Sequence, residues 1–261
     1  MLRLSDYPVL IFVVCLLLFW VSGLIARLLY RRYRNKEPDG DNYSLLLGAV
    51  LSILGLIIGF TFSMAVSRYD MRKNYEEEEA NAIGTEWLRM DLLPGEESVL
   101  AKRLLRNYLD QRILFYQAGH LDDVDKINRD TNALEEKLWK IISTESRTHQ
   151  TPIMQIVTVG MNDVFNTAGY TQAAWWNRIP RSAWALLFIL AMFCIVMIGF
   201  RNNALKKSTF PWLLPIVFSV AFALIADIDS PRGGIIRIQP QNLLALAESL
   251  PPGGLPGVDP Q

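Results

Sequence analysis

The sequence has 261 residues with 26 basic and 26 acidic side chains, so its formal net charge at pH 7 is zero. This balance argues against a nucleic-acid-binding protein, which needs an excess of basic residues. The charges are unevenly distributed, however, because they are absent from residues 8–26, 43–66, 182–200 and 208–226. Long uncharged, apolar stretches of this kind predict helices that cross a lipid bilayer.

Residues 8–26 form the first predicted span, and a basic cluster follows directly after it: Arg27, Arg31, Arg32, Arg34 and Lys36. A cleaved signal peptide is the alternative interpretation. In a signal peptide the basic residues precede a shorter apolar core, so we expect a retained transmembrane helix. Residues 35–42 contain a Pro-Asp-Gly-Asp sequence, which predicts a turn between two antiparallel helices.

The second stretch, residues 43–66, continues without a helix breaker as far as Pro94. As a helix it would extend about 36 Å, enough to cross a hydrocarbon core of about 30 Å. Small residues recur along it in steps of three or four and so form one stripe: Gly48, Ser52, Gly55, Gly59 and Ser63. Such a stripe allows another helix to approach closely. That helix belongs either to the same subunit or to a second copy of the chain.

The second span is followed by a charged arm in which Arg68 and Arg72 are placed to extend toward lipid head groups. The next four acidic residues, glutamates 76–79, cover every side of a helix and are interpreted as a solvated acidic surface. Apolar residues then recur at helical spacing: Ile83, Trp87 and Met90. We therefore expect one helix that leaves the bilayer and continues into a polar region.

The apolar residues of region 68–181 follow helical spacing in three further segments. These predicted faces are Leu100, Leu104, Leu105, Tyr108, Leu109 and Ile113; Leu134, Leu138 and Ile141; and Ile153, Val157, Met161 and Val164. No segment of the sequence shows the alternation that is typical of a strand. The sequence therefore predicts a helical soluble region.

The predicted fold is an all-α integral membrane protein with four transmembrane helices and a helical soluble region between the second and third. Residues 1–67 hold the first two spans and their basic loop, and residues 68–181 form the soluble region. Residues 182–228 hold the last two spans. Residues 229–261 form a loop, a short helix at 242–250 and a disordered tail.

No catalytic or cofactor-binding motif is recognisable in the sequence, so we predict neither an enzyme nor a cofactor. Cys15 and Cys194 lie in apolar stretches and are expected to be buried free thiols. His120 and His149 lack metal-ligand spacing and are expected at the surface.

An acidic pair, Asp227 and Asp229, follows the fourth span. Two carboxylates in a loop are few for a cation site, because a hard cation takes six or more oxygen ligands. We expect the pair to cap the loop that leaves the membrane, with cation binding as the alternative, and we predict no metal site.

Two blocks of sequence, GFTFSMAVSRYD at 59–70 and EEANAIGTEWLRMDLLP at 78–94, are followed by the shorter motifs Asn162-Asp163, NRIP at 177–180 and DIDSPRGGIIRI at 227–238. Together they resemble the bacterial bestrophin-like membrane protein family and, more distantly, the bestrophin anion channels. The resemblance marks the following family-motif residues: Arg68, Tyr69, Asp70, Glu79, Asn81, Gly84, Arg89, Asn162, Asp163, Arg178, Pro180, Asp227, Asp229, Pro231 and Gly234.

The resemblance to bestrophin channels implies that the second helix lines a pore, because Gly59-Phe60 and Ser67-Arg68-Tyr69 match the pattern of their pore helix. The implied pore-lining residues are Ser52, Leu56, Gly59 and Phe60. The helix-packing residues Gly48, Gly55 and Ser63 are predicted by the small-residue stripe itself. A hydrophobic constriction can gate by dewetting. The resemblance does not extend to the calcium site of those channels, since Gly-Ile-Ile-Arg at 234–237 replaces its acids.

The function implied by the resemblance is an anion-channel-like pore built by a homo-oligomer, with a pentamer as in the channels and chloride as the candidate permeant anion. It also implies a multi-pass protein of the bacterial inner (plasma) membrane with its soluble region on the cytoplasmic side. The basic residues of the short loops favour the opposite orientation. The alternative function is a non-conducting membrane scaffold or sensor, in which glutamates 76–79 and Trp87 dock a partner.

Overall fold

The structure, a computed structural model, describes residues 7–33, 40–119, 121–201 and 210–251, and every regular element within these ranges is a helix. In chain order the α-helices are α1 (Pro8–Tyr33), α2 (Gly40–Arg89), α3 (Gly95–Gln117), α4 (Leu121–Thr148), α5 (Pro152–Trp176), α6 (Arg181–Arg201), α7 (Phe210–Asp229) and α8 (Gln241–Ser249). The predicted all-α class is confirmed for the described residues.

α2 is one helix of 50 residues that contains both the uncharged stretch 43–66 and the charged arm, as predicted. At about 1.5 Å per residue it is about 75 Å long, far more than a bilayer core requires. It ends in a 3-10 turn at Met90–Leu92, followed by extended Leu93. Gly95 then has a φ of +49°, which a glycine adopts without steric cost.

The break between α5 and α6 lies at the NRIP sequence. At the other end of α5, Thr151 caps the helix, because its hydroxyl oxygen accepts the N–H of Met154 at 3.3 Å, and Pro152 occupies the first turn. After the helix ends, the carbonyl oxygen of Pro180 accepts the N–H of Ala183 at 3.0 Å and starts α6. α6 covers the predicted third span, residues 182–200.

Three ranges of the described chain are long and apolar enough to cross a membrane: Pro8–Leu29, Asn42–Leu92 and Pro152–Phe200. The last range includes both α5 and α6, and its longest uncharged part is residues 182–200. The predicted fourth span, residues 208–226, starts outside the described residues, and α7 covers the rest of it. Most of the predicted turn at 35–42, His120 and the predicted tail beyond Pro251 also lie outside the described residues.

The chain divides into two compact units, and the first consists of Met1–Tyr69 and Arg178–Arg237. Its core centres on Phe19, whose ring centroid lies 5.6, 6.3 and 5.8 Å from those of Phe188, Phe218 and Phe222. Cys15 and Cys194 belong to the same core and are free and buried, as predicted. Phe19 thus connects helices α1, α6 and α7.

Within the first unit, α1 and α6 approach closely at a glycine that the sequence did not single out. A Cβ atom on Gly199 would lie 2.7 Å from the Cβ of Ala26 and 2.8 Å from the carbonyl oxygen of Gly23. These distances are too short for any side chain at position 199, so the glycine is required for this helix contact.

The second unit consists of Asp70–Asn177 and Ile238–Gln261. Most of the predicted apolar faces point into its core, including Ile83, Met90, Leu105, Tyr108, Leu109, Ile113, Leu138, Val157, Met161 and Val164. The prediction is wrong for Leu100 and Ile153, which are about half exposed. Both lie near the start of their helix, where periodicity is a weak guide to burial.

Candidate functional site

The uncharged part of α2 has one face in the core of the first unit and an opposite face that is exposed. Leu54 and Ala65 are fully buried, whereas Leu56 and Phe60 are 58% and 64% exposed and Ser52 is also exposed. Because Ser52, Leu56 and Phe60 are separated by four residues each, they lie along one side of the helix. Within the described residues, the α2 face formed by residues 52, 56 and 60 is therefore uncovered.

The small-residue stripe of α2 lies beside this uncovered face. A Cβ atom built on Gly48, Gly55 or Gly59 would meet no atom of the described residues within 4 Å, and Ser63 is exposed. The hydroxyl of Ser52 donates to the carbonyl oxygen of Gly48 at 2.9 Å, so its polar group needs no other partner. In the described part of the chain, the stripe therefore does not pack against another helix of the same subunit.

The family-motif residues that follow the uncharged stretch have separate surroundings. The Nη2 atom of Arg68 lies 3.6 Å from the sulfur of Met64, and Asp70 is exposed. The ring of Tyr69 packs beside the buried cluster that contains Ile179. The expectation that Arg72 extends toward head groups is wrong, because its side chain is 1% exposed within the second unit.

Asp227 fixes the loop that follows α7. Its two carboxylate oxygens accept the N–H groups of Ile235 at 2.6 Å and Ile236 at 3.1 Å. A Cβ atom on Gly234 would collide with that carboxylate and would lie 2.9 Å from the Asp227 carbonyl oxygen. The motif therefore needs both residues, because only glycine leaves room for the acid beneath the loop.

The remaining residues of this motif also make backbone contacts. The Asp229 carboxylate accepts the N–H of Ile179 at 3.1 Å, within the NRIP sequence that contains Arg178 and exposed Pro180. The Ser230 hydroxyl accepts the N–H of Gly233, and Pro231 is buried. The predicted loop-capping role is confirmed for Asp227, whereas the Asp229 carboxylate binds the segment between α5 and α6. A separate observation is that the described residues contain no cluster of three or more metal-ligating side chains.

The acidic run at 76–79 is not a uniformly solvated surface, so that expectation is wrong. Glu77 and Glu78 are exposed, but Glu76 and Glu79 are 1% and 0% exposed. The Glu76 carboxylate accepts the N–H groups of Asn242 at 2.9 Å and Leu243 at 3.0 Å. It therefore caps the start of α8, where orphan N–H groups and the helix dipole favour an anion.

Glu79 is one half of a buried ion pair. Its carboxylate accepts hydrogen bonds from Arg112, from the Tyr116 hydroxyl at 3.1 Å and from the Thr171 hydroxyl at 3.1 Å. Burial, together with the Glu79 charge, raises the pKa of the Tyr116 hydroxyl, so this phenol stays a hydrogen-bond donor. The guanidinium of Arg112 also lies 4.5 Å from the centre of the Phe115 ring. This network connects α2, α3 and α5.

Sequence reasoning missed Arg112, Tyr116 and Thr171, which belong to no motif. One signal was available in α3. Arg112 follows Tyr108 by four residues and Leu109 by three, so this basic residue falls on the predicted apolar face of the helix. A charge in the middle of an apolar helix face requires a buried partner.

The other family-motif residues of the second unit are spread over several helices. Gly84 faces Leu246 of α8, which would lie 3.2 Å from an added Cβ atom. Asn81, Asn162 and Asp163 are exposed. Arg89 is paired with the buried Glu86 three residues before it.

Comparison with known proteins gives one matching family. The sequence profile of the Bestrophin-like domain matches residues 9–243. No curated protein sequence matches the chain.

Solved structures with the same fold include a bacterial bestrophin homologue from Klebsiella pneumoniae. One crystal structure of it matches at a TM-score of 0.63 and 13% identity over 93% of this chain and 99% of the other. A point variant of the homologue matches at a TM-score of 0.63 and 16% identity over 90% and 98%. A variant described as a membrane protein matches at a TM-score of 0.66 and 15% identity over 90% and 98%. At these identities the similarity concerns the fold.

Proposed function

This chain belongs to the bestrophin-like family, and on that premise we propose that it forms a homo-oligomeric, anion-channel-like pore whose axis is lined by α2. The observation that carries the proposal is the uncovered α2 face at residues 52, 56 and 60, together with the unpartnered glycines beside it. In the proposed topology α1, α2, α6 and α7 are the four membrane spans.

The composition of the uncovered face favours a second copy of the chain over lipid as its neighbour. Leu or Val covers the backbone of a lipid-facing helix, whereas Gly55 and Gly59 leave it bare. Small residues are enriched where helices meet in a membrane, because close backbone approach strengthens van der Waals packing. Copies of α2 that approach through this stripe would direct Leu56 and Phe60 toward a common axis.

A ring of Leu56 and Phe60 side chains would form an apolar constriction of the kind that gates by dewetting. The described part of α2 between residues 43 and 66 supplies no charged group to such a pore. The proposed permeant anion is chloride, and the proposed assembly is a pentamer. The proposed location is the bacterial inner membrane, with the second unit in the cytoplasm.

The experiment that tests this function uses the purified full chain in two assays. Chloride efflux from proteoliposomes measures conduction, and mass measurement in detergent and in lipid discs gives the number of subunits. We expect chloride efflux well above that of protein-free liposomes and a mass of several subunits. A monomer in both environments, or efflux equal to that of empty liposomes, would refute the proposal.

The alternative function is a scaffold that docks a partner through glutamates 76–79 and Trp87, and the burial of Glu76 and Glu79 argues against the acidic part of that surface. Two of these four carboxylates are buried and bound within the second unit, so only Glu77 and Glu78 are free to meet a partner. Replacing both by glutamine should leave chloride efflux unchanged if the protein is a channel. Loss of a co-purifying partner would favour the scaffold.

A further inference from the structure

Glu86, in the part of α2 that belongs to the second unit, has no role in the proposed pore. Its side chain is 0% exposed, and neither carboxylate oxygen has a hydrogen-bond donor among the described residues. Buried carboxylates are normally stabilised by several donors, as Glu76 and Glu79 are in the same helix. Glu86 is therefore an exception within its own helix.

The space that holds the Glu86 carboxyl group is made by a glycine on α5. A Cβ atom on Gly160 would collide with the Glu86 carboxylate and with the guanidinium of Arg89. Gly160 is itself buried, and Val157, Met161 and Val164 around it belong to the apolar core. The buried carboxyl group thus lies between α2 and α5, beside the backbone of Gly160 and the guanidinium of Arg89.

Two charged groups act on this carboxyl group, one from each helix. On α2, the Nη1 atom of Arg89 lies 3.5 Å from Oε2 of Glu86, which is too long for a strong hydrogen bond, and the Arg89 side chain is 31% exposed. On α5, Asp163 follows Gly160 by three residues, and its negative charge opposes ionisation of Glu86. Burial is the largest influence, and with Asp163 it outweighs Arg89 and raises the pKa of Glu86 to about 7.

We propose that Glu86 is a proton-binding site that couples the uptake of one proton to the packing of α2 against α5. When protonated, the neutral acid fits the apolar space beside Gly160 without a charge to solvate. When ionised, the buried carboxylate has only the partly exposed Arg89 guanidinium, 3.5 Å away, to offset its lost hydration, so α2 and α5 separate locally and admit water. The proposal concerns the second unit and does not require that the protein conducts ions.

The expected pH dependence follows from linkage. Because the carboxyl group binds its proton more tightly in the packed state than in the open one, the stabilisation is complete below the ordinary pKa of 4.5 and is lost as the pH rises through about 7. From about pH 6 to about pH 8 the opening equilibrium should increase about tenfold.

The test is hydrogen exchange on the full chain in detergent at these two pH values, corrected for intrinsic exchange. Peptides that cover residues 80–90 and 157–164 should lose about tenfold in protection at the higher pH in the wild type and keep their protection in Glu86→Gln. Glu77→Gln, an exposed glutamate of the same helix, is the matched control and should behave like the wild type. Equal protection of wild-type peptides at both pH values would overturn the proposal.

A second variant keeps the test decisive if Glu86→Gln does not fold. Asp163 is exposed, so Asp163→Asn leaves the core intact while removing a charge that opposes ionisation. The midpoint of the protection loss should move to lower pH in this variant. A midpoint that stays unchanged, or moves to higher pH, would assign the titration to a group other than Glu86.

Discussion

The carboxylate of Glu79 and the guanidinium of Arg112, 33 residues apart in the chain, form an ion pair with side-chain exposures of 0% and 3%. Each charge is expensive to bury alone, so neither residue is compatible with this core without the other. Tyr116 and Thr171 donate further hydrogen bonds to Glu79 and complete its solvation by the protein.

Removing one partner of this pair should therefore destabilise the second unit strongly. Arg112→Met leaves the Glu79 carboxylate buried without its counter-charge and should reduce the free energy of unfolding by about 3–5 kcal/mol. This free energy of unfolding is measured by denaturant unfolding of the detergent-solubilised protein. Glu78→Gln, at an exposed position next to Glu79, should change it by less than about 0.5 kcal/mol. An Arg112→Met variant as stable as that control would show that the pair is not enclosed.

The loop after α7 should be sensitive to a single methyl group at Gly234. In Gly234→Ala the new Cβ atom would displace the Asp227 carboxylate from the N–H groups of Ile235 and Ile236. We expect a loss of about 1–3 kcal/mol and faster proteolysis within residues 230–238. Ile235→Ala, at a side chain that is 85% exposed, is the control. Equal cleavage rates in the two variants would contradict this account of the motif.

Two glycines of α5 should respond in opposite directions to the same substitution. Gly160→Ala forces a methyl group into the space of the Glu86 carboxyl group and should destabilise the second unit by about 1–3 kcal/mol. Gly169→Ala meets no described atom within 4 Å and should stabilise the helix by about 0.5–1 kcal/mol. Thermal unfolding measures the stability of both variants. A Gly160→Ala variant more stable than the wild type would mean that the Glu86 carboxyl group does not occupy the space beside Gly160.

Substitutions at two glycines of the first unit, Gly59 and Gly199, should have different effects, one on oligomer assembly and the other on the folding of the subunit. Gly59→Leu adds a side chain where the described subunit has no atom within 4 Å, so each subunit should fold while the oligomer dissociates. Gly199→Leu should instead damage the subunit itself, because α1 lies against that glycine. Mass measurement in detergent and thermal unfolding distinguish the two effects. An intact Gly59→Leu oligomer would mean that the stripe faces open space or lipid.

The sequence predicts the features of this fold that depend on neighbouring residues. The predicted span at 43–66 is helical in the structure, and α2 ends before Pro94 as predicted. Ile83 and Met90, which recur at helical spacing, are both buried. Each of these features can be predicted from a local sequence pattern. The same holds for the free cysteines, because a thiol inside an apolar stretch has few alternatives to burial.

Features that depend on distant residues could not be predicted in this way. Glutamates 76–79 read as one solvated run, because nothing in their spacing shows that Asn242 and Arg112 meet two of them. Gly59 and Gly199 likewise look equivalent in sequence, although of these two only Gly199 contacts another helix within the described part of the subunit. The residue that approaches a glycine is set by tertiary packing and not by its helical spacing.

The central claim, that the uncovered face of α2 lines a pore, is tested most directly by chloride efflux from proteoliposomes that contain Phe60→Ala. Phe62→Ala is the control, because two residues further along α2 the side chain points to another side of the helix. If Phe60 forms the constriction, Phe60→Ala should raise efflux above the wild type by several-fold while Phe62→Ala leaves it unchanged. Efflux equal to the wild type in Phe60→Ala, with a normally assembled oligomer, would contradict the account.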